Sequence, residues 1–257
     1  MQESSWPANH PETLYDICLQ YCASNLDKTA CRKSTDGELV LNSEVFLPLH
    51  VSDALLSRLH PVGRKYLPLM ASPVAINFKH INLESVTDLT DVELQSVLAH
   101  RPTYLRISSA QLTKDSLSLI SFESHNLQTL HIVKCENIFS YRSRSKRHSW
   151  KAKFRKDLAK GGIHFHCPKA RYIVLRGVHF DVGKNLCNLL SDLKLLTRLD
   201  LSESTVSVED LHATLAQLQT LQILSLHSVK LEPSLRDAFE AIAQVKSLRL
   251  VVEIRMF

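Results

Sequence analysis

The chain has 257 residues, 44% of them hydrophobic, so we expect one or two domains with a sizeable core. It has no run of 18 apolar residues, which excludes a membrane-spanning helix, and no amino-terminal signal pattern, which predicts a cytoplasmic and/or nuclear protein. The six cysteines show no paired spacing and are expected to be free thiols. The net charge of +5 is concentrated in one segment described below.

Catalytic motifs are not found in the sequence. There are six glycines in total, with no glycine-rich phosphate loop, no His-Glu-x-x-His and no nucleophile elbow. His164, His166 and Cys167 could join Cys135 in a four-ligand metal set, but histidines that alternate beside a strand are more typical of a surface. We therefore expect a noncatalytic protein that uses no metal and no cofactor.

The first predicted element is a helix that begins after Thr13. Apolar residues follow at i, i+3, i+4, i+7 and i+8, namely Leu14, Ile17, Cys18, Tyr21 and Cys22. A helix gathers them into one stripe that needs an apolar partner. Thr13 and Asp16 suit the two positions of a capping box at the helix start. An ordinary helix that packs this stripe into its own core would show the same pattern.

The second predicted helix begins at the string Leu47-Pro48-x-x-Val51-x-x-x-Leu55. Proline is tolerated in the first turn of a helix because the first N–H groups have no partner within the helix. Val51 and Leu55 are four residues apart and would share one face, with Leu47 packing from outside.

The order and spacing of the two strings resemble the von Hippel-Lindau box, in which an elongin-binding helix precedes a cullin-2 box. The stretches TLYDICLQYCASNLD, DGELVLNSEVFLPLHVSDALLSRL and LQTLHIVKCENIF are similar to the Zyg-eleven/Zer family of cullin-2 ubiquitin ligase substrate receptors. The resemblance implies that elongin B/C contacts a first set of residues: Thr13, Leu14, Ile17, Cys18 and Cys22. It implies that cullin-2 contacts a second set: Leu47, Pro48, Val51 and Leu55.

Two features depart from the family pattern. Cys22 stands where alanine, isoleucine, leucine or valine is usual, and cysteine buries like a small hydrophobic residue. Family members continue into a long armadillo-like array that holds the pocket for amino-terminal glycine degrons, whereas this sequence ends at Phe257 before such an array. The resemblance therefore implies ligase assembly and leaves the substrate open.

A repeated Leu-x-x-Leu-x-Leu template organises the rest of the chain. Its middle positions are 105, 130, 173, 199, 224 and 248, and four of the five intervals fall in the range of leucine-rich repeats. Segments with helical periodicity alternate with the copies, for example after Thr90, after Ser207 and over 235–242. These patterns predict an α/β fold, a short leucine-rich-repeat solenoid over 61–257 preceded by a small helical von Hippel-Lindau-box module over 1–60.

The long interval, between positions 130 and 173, contains a basic insertion at about 141–162. We call eight of its residues the insertion cations: Arg142, Arg144, Lys146, Arg147, Lys151, Lys153, Arg155 and Lys156. Such a block is typical of a solvated, mobile loop, but it also suits a nuclear-import signal, attraction to RNA, or docking of an acidic partner. Trp150 and Phe154 within it favour a contact role.

The predicted function is a noncatalytic substrate-receptor subunit of an elongin B/C–cullin-2 RING E3 ubiquitin ligase, which recruits target proteins for ubiquitination and degradation. The first alternative is a leucine-rich-repeat interaction module that does not assemble a ligase, or that occupies the adaptor without delivering a substrate. The second alternative is a factor that binds RNA through the insertion.

Overall fold

A computed structural model describes residues 13–35, 37, 39–42, 44–59, 64–71, 73, 75–108, 112, 114–135, 164–180, 185–232, 240 and 242–252. The helices are α1 (Leu14–Ser24), α2 (Leu26–Thr29), α3 (Leu49–Arg58), a 3-10 helix (Arg64–Ala71), α4 (Asp91–Leu98), α5 (Lys114–Glu123), α6 (Asn185–Leu190) and α7 (Val208–Gln217). The strands are β1 (Cys31–Lys33), β2 (Leu39–Leu41), β3 (His80–Leu83), β4 (Tyr104–Ser108), β5 (Thr129–Val133), β6 (Tyr172–Arg176), β7 (Arg198–Asp200), β8 (Thr205–Ser207), β9 (Ile223–Ser225), β10 (Lys230–Glu232) and β11 (Leu250–Val252).

The centre of the fold is a parallel sheet of seven strands in the order β11-β9-β7-β6-β5-β4-β3. Equivalent residues pair across it in register: Ile81, Leu105, Leu130, Ile173, Leu199, Leu224 and Val251. The first six of these side chains are at most 1% exposed, because the helices between the strands cover that face of the sheet. The prediction of an α/β fold is thus confirmed, and a parallel sheet with repeated units is consistent with a leucine-rich-repeat-like solenoid.

The pairing of β5 with β6 bears directly on the long interval in the repeat. Leu130 pairs with Ile173, so the two strands are neighbours although 43 positions separate these residues. The alignment that skips the basic insertion is therefore confirmed. The insertion, with all eight insertion cations, lies outside the described residues.

The last repeat differs from its prediction. The template placed Leu248 at the middle position, but the structure pairs Val251 with Leu224 and Leu250 with Ile223. The amide of Leu248 donates to the carbonyl of Val245, as the amide of Leu221 does to that of Leu218, so Leu248 belongs to the turn before the strand. The prediction was three residues out because apolar residues recur at every third position here.

The strand β3 was missed by the sequence analysis. Phe78, Ile81 and Leu83 fit the same template, and Ile81 pairs with Leu105. All three side chains are buried in the core of the solenoid. The repeat therefore begins one unit earlier than predicted.

Hydrogen bonds from short polar side chains begin the helices as predicted. The Thr90 hydroxyl accepts from the amide of Glu93, whose carboxylate accepts from the amide of Thr90, which makes a capping box at the start of α4. The Ser207 hydroxyl accepts from the amide of Asp210 at the start of α7. The predicted helix over 235–242 lies mostly outside the described residues.

The amino-terminal module combines the predicted short helices with an antiparallel pair, β1 and β2, that was not predicted. Its small core consists of Leu19, Ala23, Leu26, Cys31, Leu55 and Leu69. Leu69 belongs to the 3-10 helix, so the packing of the module extends past residue 60. Leu41, Leu47 and Tyr66 pack against both this core and the core of the solenoid, which makes the two cores continuous.

The module also covers the sheet edge formed by β3. Leu47 bridges to Ile76, and the amide of Leu47 donates to the carbonyl of Ala75 at 3.0 Å. The Asp53 carboxylate on α3 accepts from the amides of Lys79 at 2.7 Å and His80 at 3.2 Å. These bonds satisfy backbone donors at an edge that would otherwise be open to another strand.

Candidate functional site

The α1 stripe (Leu14, Ile17, Cys18, Tyr21 and Cys22) lies on the surface. Leu14 is 77%, Ile17 52% and Tyr21 64% exposed, and both cysteines are exposed. Exposure of five apolar side chains on one helix face to water is unfavourable in proportion to their exposed area. The structure therefore does not place this face in the core of the described chain, which was the alternative that the sequence left open.

The opposite face of α1 holds the helix on the module. Leu19 and Ala23 are the buried residues of α1, and they pack in the small core with Leu55 of α3 and Leu69. At 3.6 residues per turn, these two residues lie about 150° around the helix axis from the centre of the α1 stripe. The helix is thus anchored by one face and presents the other.

Local hydrogen bonds fix the start and the orientation of α1. The Thr13 hydroxyl accepts from the amide of Asp16 at 3.1 Å, and the Asp16 carboxylate accepts from the Thr13 amide at 3.2 Å, which completes the predicted capping box. The same carboxylate accepts from Arg58 of α3 at 2.7 Å. The hydrogen bonds from Thr13, with Arg58, hold the pKa of Asp16 below its usual value. Thr13 therefore determines where the helix begins and is itself exposed next to the stripe.

The second predicted set of contact residues divides into surface and interior. Pro48 is the residue that precedes α3 and is exposed, and Val51 in the first turn is half-buried. Leu47 is half-buried and packs against both cores, and Leu55 is 3% exposed. Leu55 was predicted to contact a partner, but it packs inside the module instead, in the same small core as Leu19 of α1.

Three exposed aromatic or aliphatic residues beside these strings were missed by the sequence analysis. Phe46 is 70%, Tyr15 50% and Leu49 44% exposed. Phe46 and Leu49 flank the Leu47-Pro48 pair, and Tyr15 follows Leu14. Neither motif template includes these positions, so only their apolar character beside the two strings could have drawn attention to them.

The face of the sheet opposite the helices carries a row of rings: His80, Tyr104, His131 and Tyr172. Their centroids are 6.4, 5.3 and 5.1 Å apart in that order, so the rings contact one another across four strands. Two ion pairs flank the row, Arg106 with Glu84 at 2.6 Å and Arg176 with Asp200 at 3.7 Å.

Partial burial changes the titration of two of these rings. Burial, with the positive charge of Arg106, lowers the pKa of His131 below its ordinary value of 6.5. Burial raises the pKa of Tyr172. The Nε2 atom of His131 and the Nε atoms of Arg106 and Arg176 are buried and have no hydrogen-bond partner. Because the pKa of His131 is lowered, its imidazole is mainly neutral at pH 7.

The six cysteines are free, as predicted, and they fall into two classes. Cys18 and Cys22 are exposed on α1, whereas Cys31, Cys135, Cys167 and Cys187 are buried. Burial raises the pKa of Cys167 to about 12 and also raises the pKa of Cys31, which keeps these thiols protonated. Reagents that modify thiols should therefore discriminate between the two classes.

Neither a metal site nor a membrane span emerges from the described part of the chain. Among those residues no three histidine, cysteine, aspartate or glutamate side chains are grouped so as to hold a metal ion. Within the same residues, every helix is too short or too polar to cross a bilayer.

Comparison with known proteins found similarities over part of the chain. No family model matches the sequence. The protein zer-1 homologs of Homo sapiens and Pongo abelii are each 26% identical to it over 140 residues, which is 50% of this chain and 18% of the relative. The aligned part of the chain therefore spans about 18% of the length of those relatives. Among solved structures, an internalin (InlF) of Listeria monocytogenes aligns with 84% of this chain and 66% of its own, at 12% identity and a TM-score of 0.41.

Proposed function

We propose that the chain is a noncatalytic substrate-receptor subunit of an elongin B/C–cullin-2 RING E3 ubiquitin ligase. The α1 stripe binds elongin B/C, the start of α3 binds cullin-2, and the repeated units offer a surface for the protein to be ubiquitinated. The observation that carries the proposal is the exposed α1 stripe, because a helix already anchored by Leu19 and Ala23 gains nothing for its own folding from a second apolar face.

The chemistry of the stripe suits a helix that inserts into an apolar groove. Leu14, Cys18 and Tyr21 lie three or four residues apart, which is the spacing of anchors in helix-in-groove recognition. Burial of a large apolar side chain contributes about 1.5–3 kcal/mol, so two such anchors decide whether a complex is captured. The motif resemblance to the Zyg-eleven/Zer family and the similarity to zer-1 homologs favour elongin as the groove-bearing partner.

The proposed cullin contact includes fewer residues of the motif than the sequence predicted. Pro48 and Val51 are accessible at the start of α3, together with the exposed Phe46 and Leu49. Leu47 and Leu55 contribute instead by holding α3 in place, since Leu55 is buried in the module core and the half-buried Leu47 packs against it. The Asp16–Arg58 ion pair connects α1 to α3 and helps to fix the position of one proposed contact surface relative to the other.

Capture from purified components tests the elongin contact. Leu14→Ser with Cys18→Asp should lower capture of elongin B/C by about a hundredfold or more, because two apolar anchors are lost and a charge enters the groove. Gln20→Asp is the matched control, since it adds the same charge to an exposed polar position of α1 and should leave capture unchanged. Both variants should unfold at the temperature of the parent chain. Retained capture by the double variant, or its unfolding, would contradict the proposal.

Thiol labelling tests the same contact without any substitution. In the free chain, iodoacetamide should label the exposed Cys18 and Cys22, while the buried Cys135 and Cys167 serve as internal references that react slowly. Addition of elongin B/C should protect Cys18 and Cys22, which mass spectrometry can measure residue by residue. If elongin is present and labelling of α1 is unchanged, the stripe is not the contact surface.

A separate pair of substitutions tests the cullin contact. Pro48→Asp with Val51→Asp should abolish retention of cullin-2 while elongin B/C remains bound, because these positions lie outside the α1 stripe. Leu55→Ala is the contrasting variant. It should lower the stability of the chain, whereas the chain that remains folded should still bind both partners. Loss of elongin together with cullin-2 from a folded Pro48/Val51 variant would show that the two surfaces are not distinct. Failure of both partners to bind the unmodified chain would favour an interaction module that assembles no ligase.

A further inference from the structure

A row of polar residues lies at the sheet edge where β6, β7, β9 and β11 begin. Arg171, Thr197, Gln222 and Arg249 occupy the same position in successive repeats, as their backbone bonds show. The amide of each later residue donates to the carbonyl of the one before it, at 2.9 Å in all three cases. Since neighbouring strands lie about 4.8 Å apart, the row places its two arginines about 14 Å from each other.

These four residues are part of the lining of a cleft of about 450 Å³, which we call the basic edge cleft. Lys246 joins Arg171 and Arg249 in the lining, and none of the described residues that line the cleft is acidic or aromatic. All three cations are exposed. The ion pairs resolved in the described ranges involve other residues, so these cations have no acidic partner there.

A hydroxyl group in the same cleft also has no partner. The Thr197 hydroxyl donates to the carbonyl of Arg171 at 3.0 Å, and that of Thr220 donates to the carbonyl of Leu196 at 2.8 Å. Ser247 stands one repeat after Thr220, yet its Oγ atom is buried without a hydrogen bond. A buried polar atom that is left unsatisfied calls for an explanation, and a ligand with acceptor oxygens provides one.

We propose that the basic edge cleft binds an extended, acidic segment of a protein partner, with carboxylates on Arg171 and Arg249 and a further oxygen near Ser247. The guanidinium group binds a carboxylate through two parallel hydrogen bonds, which an ammonium group cannot do. An extended chain advances about 3.3 Å per residue, so acidic side chains about four residues apart span the two arginines. Single-stranded nucleic acid is less well matched, because its recognition uses aromatic side chains as stacking platforms and the part of the lining that the structure describes contains none.

The cleft is distinct from the α1 stripe, and its proposed use does not depend on ligase assembly. Arg171 and Arg249 lie in the repeats, while the proposed elongin and cullin contacts lie in residues 13–55. Substitutions in the cleft should therefore leave elongin capture intact, which separates the failure of one proposal from the failure of the other.

Fluorescence anisotropy with an oligoglutamate peptide of about ten residues tests the proposal. The full chain is used with the insertion cations replaced by glutamine, so that they do not attract the probe. Arg171→Glu with Arg249→Glu should weaken binding at least about tenfold, and Arg171→Gln with Arg249→Gln by a smaller factor. Lys28→Glu with Arg32→Glu, at exposed positions of the module, makes the same change in net charge and should alter affinity less than about twofold.

Three results would overturn the proposal. The first is no binding of oligoglutamate to the parent chain in a buffer of physiological salt. The second is an equal loss of affinity in the cleft variant and in the Lys28/Arg32 control, which would show attraction by net charge alone. The third is tighter binding of an oligouridylate of about ten nucleotides with the same dependence on Arg171 and Arg249, which would make the cleft a nucleic-acid site.

Discussion

The amino-terminal helix and the repeated strands contain the same kinds of apolar residue in regular spacing, but the structure uses them in opposite ways. In the repeats, Leu105, Leu130 and Leu224 are fully buried between the sheet and its helices. In α1, Leu14, Ile17 and Tyr21 are more than half exposed. The repeat buries its leucines because each unit stacks on two others, whereas α1 packs with one face only. Periodicity therefore predicts which residues share a face, and the neighbours in space decide whether that face is covered.

The small size of the module core explains why α1 can leave a face open. Six residues, from Leu19 to Leu69, are enough to hold α1, α3 and the 3-10 helix together because this core is continuous with that of the solenoid through Leu41, Leu47 and Tyr66. The Asp16–Arg58 ion pair and the capping box then set the position of α1 without using the stripe. An apolar surface held in this way is available to a partner.

The largest expected effect comes from a pair of leucine-to-alanine substitutions, one in each region. Leu130→Ala should lower the free energy of unfolding by about 2–5 kcal/mol, because it removes buried contacts and leaves a cavity in the core. Leu14→Ala should change it by no more than about 0.5 kcal/mol, since the side chain is exposed. Urea denaturation followed by circular dichroism measures both. Equal destabilisation by the two substitutions would mean that α1 is a core helix and that the comparison fails.

One helix of the repeats, α6, begins differently from α1. The start of α6 is capped by the next repeat: the Asp210 carboxylate is 1% exposed and accepts from the amides of Leu186 and Cys187, each at 2.8 Å. Asp210→Ala should cost about 2 kcal/mol, because two buried N–H groups lose their acceptor. Thr13→Ala removes the exposed cap of α1 and should cost about 0.5–1 kcal/mol. Chemical denaturation compares them, with Asp210→Asn expected in between because its amide oxygen still accepts.

The sequence predicted the repeat well, while the partner contacts of α1 and α3 stay predictions. The strands at Leu105, Leu130, Ile173, Leu199 and Leu224 are where the template placed them, because each buried strand must repeat the same apolar positions. At the last repeat, Val245, Leu248 and Val251 recur at every third position, so the pattern fits two registers, and backbone pairing with β9 selects the other one. The site required knowledge of which helix face the rest of the chain covers, and the spacing of α1 contains no information on that.

His131, on the face of the sheet opposite the helices, should make stability depend on pH, in contrast to the apolar α1 stripe. Burial and Arg106 lower the pKa of His131 in the folded chain below 6.5, so below pH 6.5 the unfolded chain binds protons before the folded chain does. Stability from this group is thus present above pH 6.5 and falls as the pH is lowered toward the pKa of the folded state. His131→Asn should reduce the decrease of the melting temperature between about pH 6.5 and 5. The exposed His212→Asn serves as the control, and an identical pH profile for parent and His131 variant would contradict the prediction.

The smallest change in stability is expected from deletion of residues 142–159 in the basic insertion. β5 and β6 already pair in register through Thr129–Tyr172, Leu130–Ile173 and Ile132–Leu175, so the strands need no residue of the insertion between them. A shorter connection lowers the closure entropy only logarithmically, which favours the folded state by less than about 1 kcal/mol. The melting temperature should therefore stay within a few degrees of the parent value, and capture of elongin B/C should persist. Replacement of the insertion cations by glutamine should reduce nuclear accumulation or retention on a polyanion without altering stability. A deletion variant that fails to fold would show that the insertion packs against the repeats, and the solenoid would then depend on residues outside its repeat.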